Sequence, residues 1–100
     1  MIRGSTPEHS FSLPIKADLI EDLEIIYQQG GADIIRKTKK DCTIEKNLAK
    51  VKLSQQETLS LKNVFRSVKL QMRVKTVGGE VMVSDVLSVS VDECLFDEVI

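Results

Sequence analysis

His9, Cys42 and Cys94 carry the side chains best suited to binding a soft metal or to serving as a nucleophile and its base. They lie far apart along the chain, and no CxxC or HxxxH spacing joins them. A zinc site would have to be assembled from three distant strands plus a carboxylate. The sequence therefore predicts small buried cysteines and an edge histidine, with no metal site, no cofactor, no small-molecule substrate and no catalytic residues.

Adjacent carboxylates also have the composition of an acid/base pair, but their spacing is wrong for that chemistry. Neighbouring side chains in a strand point to opposite faces, so two consecutive acids cannot share a proton. We interpret these residues as solubilising or interface charge. The pairs are Glu21 with Asp22, Asp92 with Glu93, and Asp97 with Glu98.

Basic side chains recur at strand spacing and suggest an alternative function. Lys69, Arg73 and Lys75 share one face of a single strand, and Lys50 and Lys52 share a face of another. Such a ladder can contact phosphates and release counterions. The chain has no tryptophan, one tyrosine and three phenylalanines, so it lacks the usual platforms for stacking bases. A solvated sheet face is the simpler interpretation, and nucleic acid is not the expected partner.

The composition indicates one globular domain of 100 residues, with 42% hydrophobic and 29% charged residues. Few aromatic residues are present, so the core is expected to consist mainly of Val, Ile and Leu. No apolar run is long enough for a membrane span, and the first residues lack the apolar core of a secretory signal. We therefore expect an intracellular protein with free thiols and no membrane partner.

Charge is unevenly distributed along the chain. Residues 36–75 contain 12 of the 14 Lys and Arg residues but 3 of the 15 acids, a local balance of +9, and the remainder carries −10. One interpretation is that opposite charges meet on neighbouring strands of a solvated surface. The other is a dipolar molecule whose copies attract one another head to tail.

The clearest structural signal is the alternation of apolar and polar residues over 67–77, with apolar side chains at 68, 70, 72 and 74. This pattern predicts a strand with one buried and one solvated face. Gly78 and Gly79 follow and lead into a valine-rich run, which predicts an antiparallel hairpin. Asp85 and Val86 interrupt that second run, where we expect a bulge.

Residues 18–29 fit two patterns. Leu19, Leu23, Ile26 and Tyr27 have helical spacing before a possible glycine stop at Gly30. Alternation over the same stretch fits a strand instead, with Gly30 and Gly31 forming a turn into a second strand. The sequence favours the strand only slightly.

The remaining stretches predict short strands and one helical turn. Strands are expected at 9–15, where Pro14 favours a sheet edge, at 42–45 and at 48–53, with a turn at Lys46 and Asn47. Ser54 and Glu57 match a capping box. Together these elements predict an all-β, immunoglobulin-like antiparallel β-sandwich of about seven strands with one short helix. The expected organisation is a flexible N-terminal arm (1–8), a β-sandwich domain (9–95) and an apolar C-terminal tail (96–100).

The order of several segments resembles small, mostly uncharacterised proteins encoded among the structural genes of prophages in Gram-positive bacteria. The resemblance implies a sandwich-like domain that serves phage assembly, and it favours a strand at 22–29. It assigns no catalytic or binding residues. The segments are 6–14 (TPEHSFSLP), 19–20 (LI), 26–29 (IYQQ), 41–43 (DCT), 51–59 (VKLSQQETL), 70–76 (LQMRVKT) and 98–100 (EVI).

The resulting expectation is a non-enzymatic phage or prophage structural or assembly protein, a component of the virion head, neck or tail. Its expected partners are other phage structural proteins and copies of itself. It would be found in the bacterial cytoplasm during assembly and then in the virion. The alternative is a nucleic-acid-associated module that uses the basic sheet face.

Overall fold

The computed structural model describes residues 1–62 and 67–100, so most of the predicted connection at 62–66 lies outside the described residues. Within them the chain forms eight strands, one α-helix and two single-turn 3₁₀ helices, Ala17–Leu19 and Lys39–Asp41. None of these helices has the length and apolar character needed to span a membrane. The remaining elements are β1 (Glu8–Ser12), β2 (Ile20–Gln29), β3 (Ala32–Thr38), β4 (Cys42–Glu45), β5 (Leu48–Lys52), α1 (Gln55–Leu59), β6 (Ser67–Thr76), β7 (Val81–Val83) and β8 (Leu87–Ser90).

The strands form two antiparallel sheets. The small sheet has the order β1-β5-β4, and the large sheet has the order β3-β2-β6-β7, with β8 also paired to β6. The prediction of an all-β sandwich with one short helix is therefore confirmed. β1 lies at an edge of the small sheet, as predicted, but it spans Glu8–Ser12 rather than 9–15, so Pro14 lies beyond the strand.

β2 settles the ambiguity at residues 18–29 in favour of the strand. Its backbone pairs with β3 on one side and with β6 on the other. Leu23, Ile25 and Tyr27 are buried on one face, whereas Ile26 lies on the other face and is partly exposed. A helix would have placed Ile26 with Leu23 and Tyr27. β6 pairs with most of β2, and β3 pairs with its second half from Glu24 to Gln29, so the strand is stabilised by tertiary pairing.

Glycine turns close two of the hairpins. Gly30 and Gly31 both have positive φ, 58° and 79°, as the tight turn between β2 and β3 requires. In the hairpin between β6 and β7, Gly79 has φ 88° and its amide donates to the Thr76 carbonyl at 3.0 Å. Both hairpins are predicted correctly by their glycine pairs.

The turn between β4 and β5 differs in detail from its prediction. Its position at residues 46 and 47 is correct, but the residue in the left-handed region is Lys46, with φ 53°, rather than Asn47. The Asn47 carbonyl accepts the Leu13 amide at 2.7 Å, and the Lys46 carbonyl accepts the Ala17 amide at 3.2 Å. The turn therefore joins the segment that follows β1 to the small sheet.

The predicted interruption at Asp85 and Val86 separates β7 from β8. Val83 pairs with Arg73 and Leu87 pairs with Leu70, so three residues on this side face two residues of β6. The extra residue is the bulge that the broken alternation indicates. Ser84 holds the bulge to β6, because its hydroxyl accepts the Met72 amide at 3.0 Å.

The core lies between the inner faces of the two sheets. It is built mainly from Val, Leu and Ile, as expected from a chain without tryptophan. Ala49, Val51 and Leu53 face inward, and the alternate residues Lys50 and Lys52 face outward. The central large side chains from the two sheets and from the segments around α1 are Tyr27, Leu23, Ile25, Leu53, Leu61, Val51, Val68 and Val74.

The short helix α1 starts with the predicted capping box. The Glu57 amide donates to the Ser54 hydroxyl at 3.1 Å, and the Ser54 amide donates to the Glu57 carboxylate at 2.8 Å. Both contacts satisfy amides that a helix start leaves without partners. Glu57 also pairs with Lys37 of β3 at 2.8 Å, which ties the helix to the large sheet.

Candidate interaction surfaces

His9 and Tyr27 form a polar contact between the sheets. The His9 Nδ1 lies 2.6 Å from the Tyr27 hydroxyl, and the two rings stack with centroids 5.7 Å apart. Val51 is the cross-strand neighbour of both His9 and Cys42, so a full strand separates the imidazole from the thiol. The structure therefore brings two of the three candidate residues to the same interior face, but it does not place them in contact.

The electrostatics around His9 favour neutral side chains. Burial, with a smaller contribution from the positive N-terminus, lowers the pKa of His9, and burial raises the pKa of Tyr27 above its usual range. Burial also raises the pKa of the Cys42 thiol, and the nearby Asp41 carboxylate raises it further. A less available thiolate is the opposite of what nucleophilic catalysis needs. The cluster is suited to holding the two sheets together.

Cys94 lies elsewhere, beside Gly4 in the region where the two termini meet. Among the residues that the structure describes, no group of three His, Cys, Asp or Glu side chains could hold a metal ion. Of the three acidic pairs, Glu21 and Asp22 lie in a strand. Asp97 lies outside the strands, and its carboxylate accepts a hydrogen bond of 2.7 Å from the Arg3 guanidinium.

The predicted basic ladder is distributed over two surfaces. Lys69, Arg73 and Lys75 lie on the outer face of β6, whereas Lys50 and Lys52 lie on the outer face of β5 in the other sheet. Because the two inner faces pack together, these outer faces point away from each other. The five residues therefore do not form one continuous surface.

Acidic neighbours partly neutralise the β6 face. The Glu24 carboxylate contacts Arg73 at 2.6 Å and Arg36 at 2.7 Å, and Lys75 lies 3.9 Å from Glu21. The hydrogen bond from Arg73 is the largest influence that lowers the pKa of Glu24. These contacts match the interpretation in which the charge imbalance along the chain resolves into pairs on neighbouring strands.

The first residues of the chain pack against its last segment. The Met1 ammonium donates to the Ser90 carbonyl at 2.6 Å, and Ile2 forms a parallel bridge with Asp92. The Arg3 guanidinium donates to the carbonyls of Leu61 at 2.7 Å and Leu59 at 2.9 Å, as well as to Asp97. Arg3 therefore connects the end of α1 with both termini. No local pattern in the sequence indicates this role.

The last segment presents an apolar surface, which we call the tail patch. Leu95 is 89% exposed and Phe96 is 78% exposed. The segment is held by polar contacts, since Arg3 binds Asp97 and the Ile100 amide donates to the Gln55 side chain at 3.0 Å. Apolar side chains on an anchored backbone form a ready contact surface for another protein. The tail patch comprises Leu95, Phe96, Val99 and Ile100.

A second apolar surface lies along β7, which we call the β7 edge. Val81 and Val83 are each 60% exposed on the outer face, and Met82 points inward. Val86 and Leu87 extend the exposed apolar surface beyond the bulge. The sequence shows that β7 contains no charged residue. Only the strand order shows that β7 lies at a sheet edge.

Comparisons with protein-family models, with curated proteins and with solved structures found no match to this chain. Two apolar surfaces, one on an anchored segment and one on a sheet edge, are the features most suited to binding.

Proposed function

We propose that this chain is a non-enzymatic structural or assembly protein of a phage or prophage, which acts through contacts with other proteins. The tail patch is the observation that carries this proposal. The resemblance to proteins from prophage structural gene clusters supplies the biological setting. Head, neck and tail proteins are the expected partners, in the host cytoplasm during assembly and afterwards in the virion.

The arrangement of the tail patch favours protein binding over a packing role within the chain. Leu95 and Phe96 expose most of their area, although Arg3 contacts the Asp97 carboxylate and the Gln55 side chain accepts the Ile100 amide. When a partner covers these side chains, it removes apolar area from water, which stabilises the complex by about 25 cal/mol for each Å² buried. Asp97, which is paired with Arg3, and Glu98 lie between the apolar residues of the patch, so a partner groove with apolar walls and a basic residue facing Glu98 fits it best.

The interior supports a non-enzymatic role. His9 is hydrogen-bonded to Tyr27, and the pKa of the half-buried Cys42 thiol is raised. Neither residue offers an activated nucleophile or a base beside one. The basic residues give the nucleic-acid alternative little support, because they are divided between two outer faces and Arg73 is paired with Glu24.

The proposal is tested by inducing the prophage that carries the gene and purifying its particles by density gradient. We expect this chain to appear by mass spectrometry in particles or in assembly intermediates, bound to head, neck or tail proteins. The double variant Leu95→Lys/Phe96→Lys should reduce that binding at least tenfold, because it places charge on the apolar patch.

Leu48→Lys is the matched control, since Leu48 is exposed on the outer face of the small sheet, away from the termini. It should bind as the unmodified chain does. If deletion of the gene leaves particle yield and infectivity unchanged, and the chain is absent from particles and intermediates, the proposed function is wrong.

A further inference from the structure

We infer that the β7 edge is a homodimer interface, at which β7 of one chain pairs antiparallel with β7 of a second copy about a twofold axis at Met82. This inference deepens the proposed function, because it identifies a self-association surface separate from the tail patch. The dimer would join two large sheets into one continuous sheet.

β7 itself lacks two of the features that normally protect sheet edges, charged side chains and proline, although it is only three residues long and a bulge follows it. Charged side chains, proline and bulges within edge strands discourage pairing with other chains. β3 contains Asp33, Arg36 and Lys37 and a register shift, β1 contains Glu8, and β4 contains Glu45. The Val-Met-Val sequence of β7 contains no charged side chain and no proline.

Nothing in the described part of the chain covers this edge. β7 pairs with β6 on one side and has no described partner on the other. A groove of about 380 Å³ lies between Met82 and Val83 on one side and Leu13 and Pro14 on the other. β8 differs, because the Met1 ammonium already occupies the Ser90 carbonyl at its end.

The backbone of β7 presents hydrogen-bonding groups to the open side. The Thr76 amide donates to the Glu80 carbonyl at 2.8 Å, and the Ser84 amide donates to the Met72 carbonyl at 2.8 Å. Antiparallel ladders alternate, so Met82 also bonds toward β6 and the amide and carbonyl groups of Val81 and Val83 point away from it. A partner strand would therefore form its hydrogen bonds at the two valines.

One register of a second copy of β7 pairs both valines of each chain. With the twofold axis at Met82, Val81 of one chain faces Val83 of the other in a hydrogen-bonded pair, and the second pair follows by symmetry. Exposed valines then meet across the interface on the outer face.

The charges near the edge are compatible with the same register. Residues 77–100 contain six acids and no basic residue, so a register that placed Glu80 opposite Glu80 of the second copy would bring like charges together. In the twofold register Glu80 faces Ser84 and Asp85 faces Gly79, and no acid faces another. The β7 edge is therefore complementary to itself in this arrangement. Pairing with β3 of a second copy would instead place β7 against an edge whose charged side chains are already engaged in ion pairs.

The inference is tested by measuring the mass of the full chain in solution with sedimentation velocity, from micromolar to millimolar concentration. We expect the mass to double as concentration rises. Val81→Lys/Val83→Lys places lysines directly opposite each other in the dimer and should keep the chain monomeric. Leu95→Lys/Phe96→Lys, a matched pair of lysines on the tail patch, should leave dimerisation unchanged.

Amide hydrogen exchange of the unmodified chain gives an independent measurement if the lysine variant misfolds. The Val81 and Val83 amides should exchange at least tenfold more slowly in the dimer than in dilute samples, whereas the Met82 amide should be protected in both. A monomer at all concentrations, a dimer that persists in the β7 variant, or loss of the dimer in the tail-patch variant would each overturn the inference. If the chain is monomeric but still binds phage proteins, the dimer inference is wrong and the proposed function stands. If the chain dimerises but is absent from all particles and assembly intermediates, the proposed function is wrong and the dimer inference stands.

Discussion

Tyr27 and His9 show how a single polar contact can be accommodated in an apolar core. Tyr27 is fully buried on β2, and its hydroxyl finds a partner on β1 of the other sheet. Without His9 the hydroxyl would lose a hydrogen bond inside the protein. The sequence predicts an edge position for His9, but its contact with Tyr27 depends on how the sheets face each other.

A double-mutant cycle measures this contact. Tyr27→Phe and His9→Ala should each destabilise the chain, and together they should cost less than the sum of the two. We expect a coupling of about 1 kcal/mol, because one hydrogen bond joins the two side chains. Urea unfolding of the four proteins provides the measurement. Additive effects would show that the pair contributes no specific stability.

The hairpin between β6 and β7 depends on one of its two glycines. Gly79 has φ 88°, a region that side-chain-bearing residues rarely adopt, whereas the φ of Gly78 is outside that region. A Cβ at Gly79 would meet no atom within 4 Å, so any cost of adding one comes from the backbone. This hairpin also positions β7, and therefore the β7 edge.

Gly79→Ala should destabilise the chain by about 1–2 kcal/mol, because alanine is strained in the left-handed region. Gly78→Ala is the matched control, since its Cβ would make an ordinary contact with the Thr76 side chain at 3.7 Å. It should leave the stability unchanged or raise it by up to about 1 kcal/mol. Urea unfolding measures both, and equal effects of the two substitutions would contradict the assigned backbone roles.

Across the whole molecule, ion pairs connect segments of opposite charge. Glu24 of β2 lies between Arg36 of β3 and Arg73 of β6, and Glu57 of α1 pairs with Lys37 of β3. Burial raises the pKa of Glu57, but its contacts with Lys37 and Ser54 outweigh that effect and lower it overall. The pKa of Asp41 is also lowered, chiefly by the Thr38 amide.

Stability should therefore fall with decreasing pH in two stages. Because folding lowers the pKa of His9, the unfolded chain protonates His9 at a higher pH than the folded chain does. Stability therefore declines as pH falls below 6.5 and levels off once the pH lies below the pKa of His9 in the folded chain. The lowered pKa values of Glu24, Asp41 and Glu57 give stability that is present above 4.5 and lost as pH falls through their folded values.

Thermal unfolding across this pH range measures both stages. His9→Gln should remove the upper decline and leave the lower one, whereas Glu57→Gln should weaken the lower decline and leave the upper one. A melting temperature that stays constant as pH falls from above 6.5 toward 4.5 would contradict the assigned effect of His9.

Local features of this protein follow from the sequence alone. The alternation in β6 and β5, the glycine hairpins, the capping box at Ser54 and the bulge near Asp85 are all readable, because side-chain alternation, positive φ and helix capping are properties of short segments. The sequence also shows directly that no CxxC or HxxxH spacing joins His9, Cys42 and Cys94.

Tertiary structure decided the features that depend on residues distant in sequence. Residues 18–29 fit a helical and a strand pattern, and pairing with β3 and β6 selected the strand from Ile20 to Gln29. The division of the basic residues between two faces and the open side of β7 follow from strand order. The His9–Tyr27 pair depends on how the two sheets pack, and the Arg3 contacts depend on the meeting of the termini with the end of α1. Local periodicity carries no information about strand order, because it reports which face of a strand is buried but not which strand lies beside it.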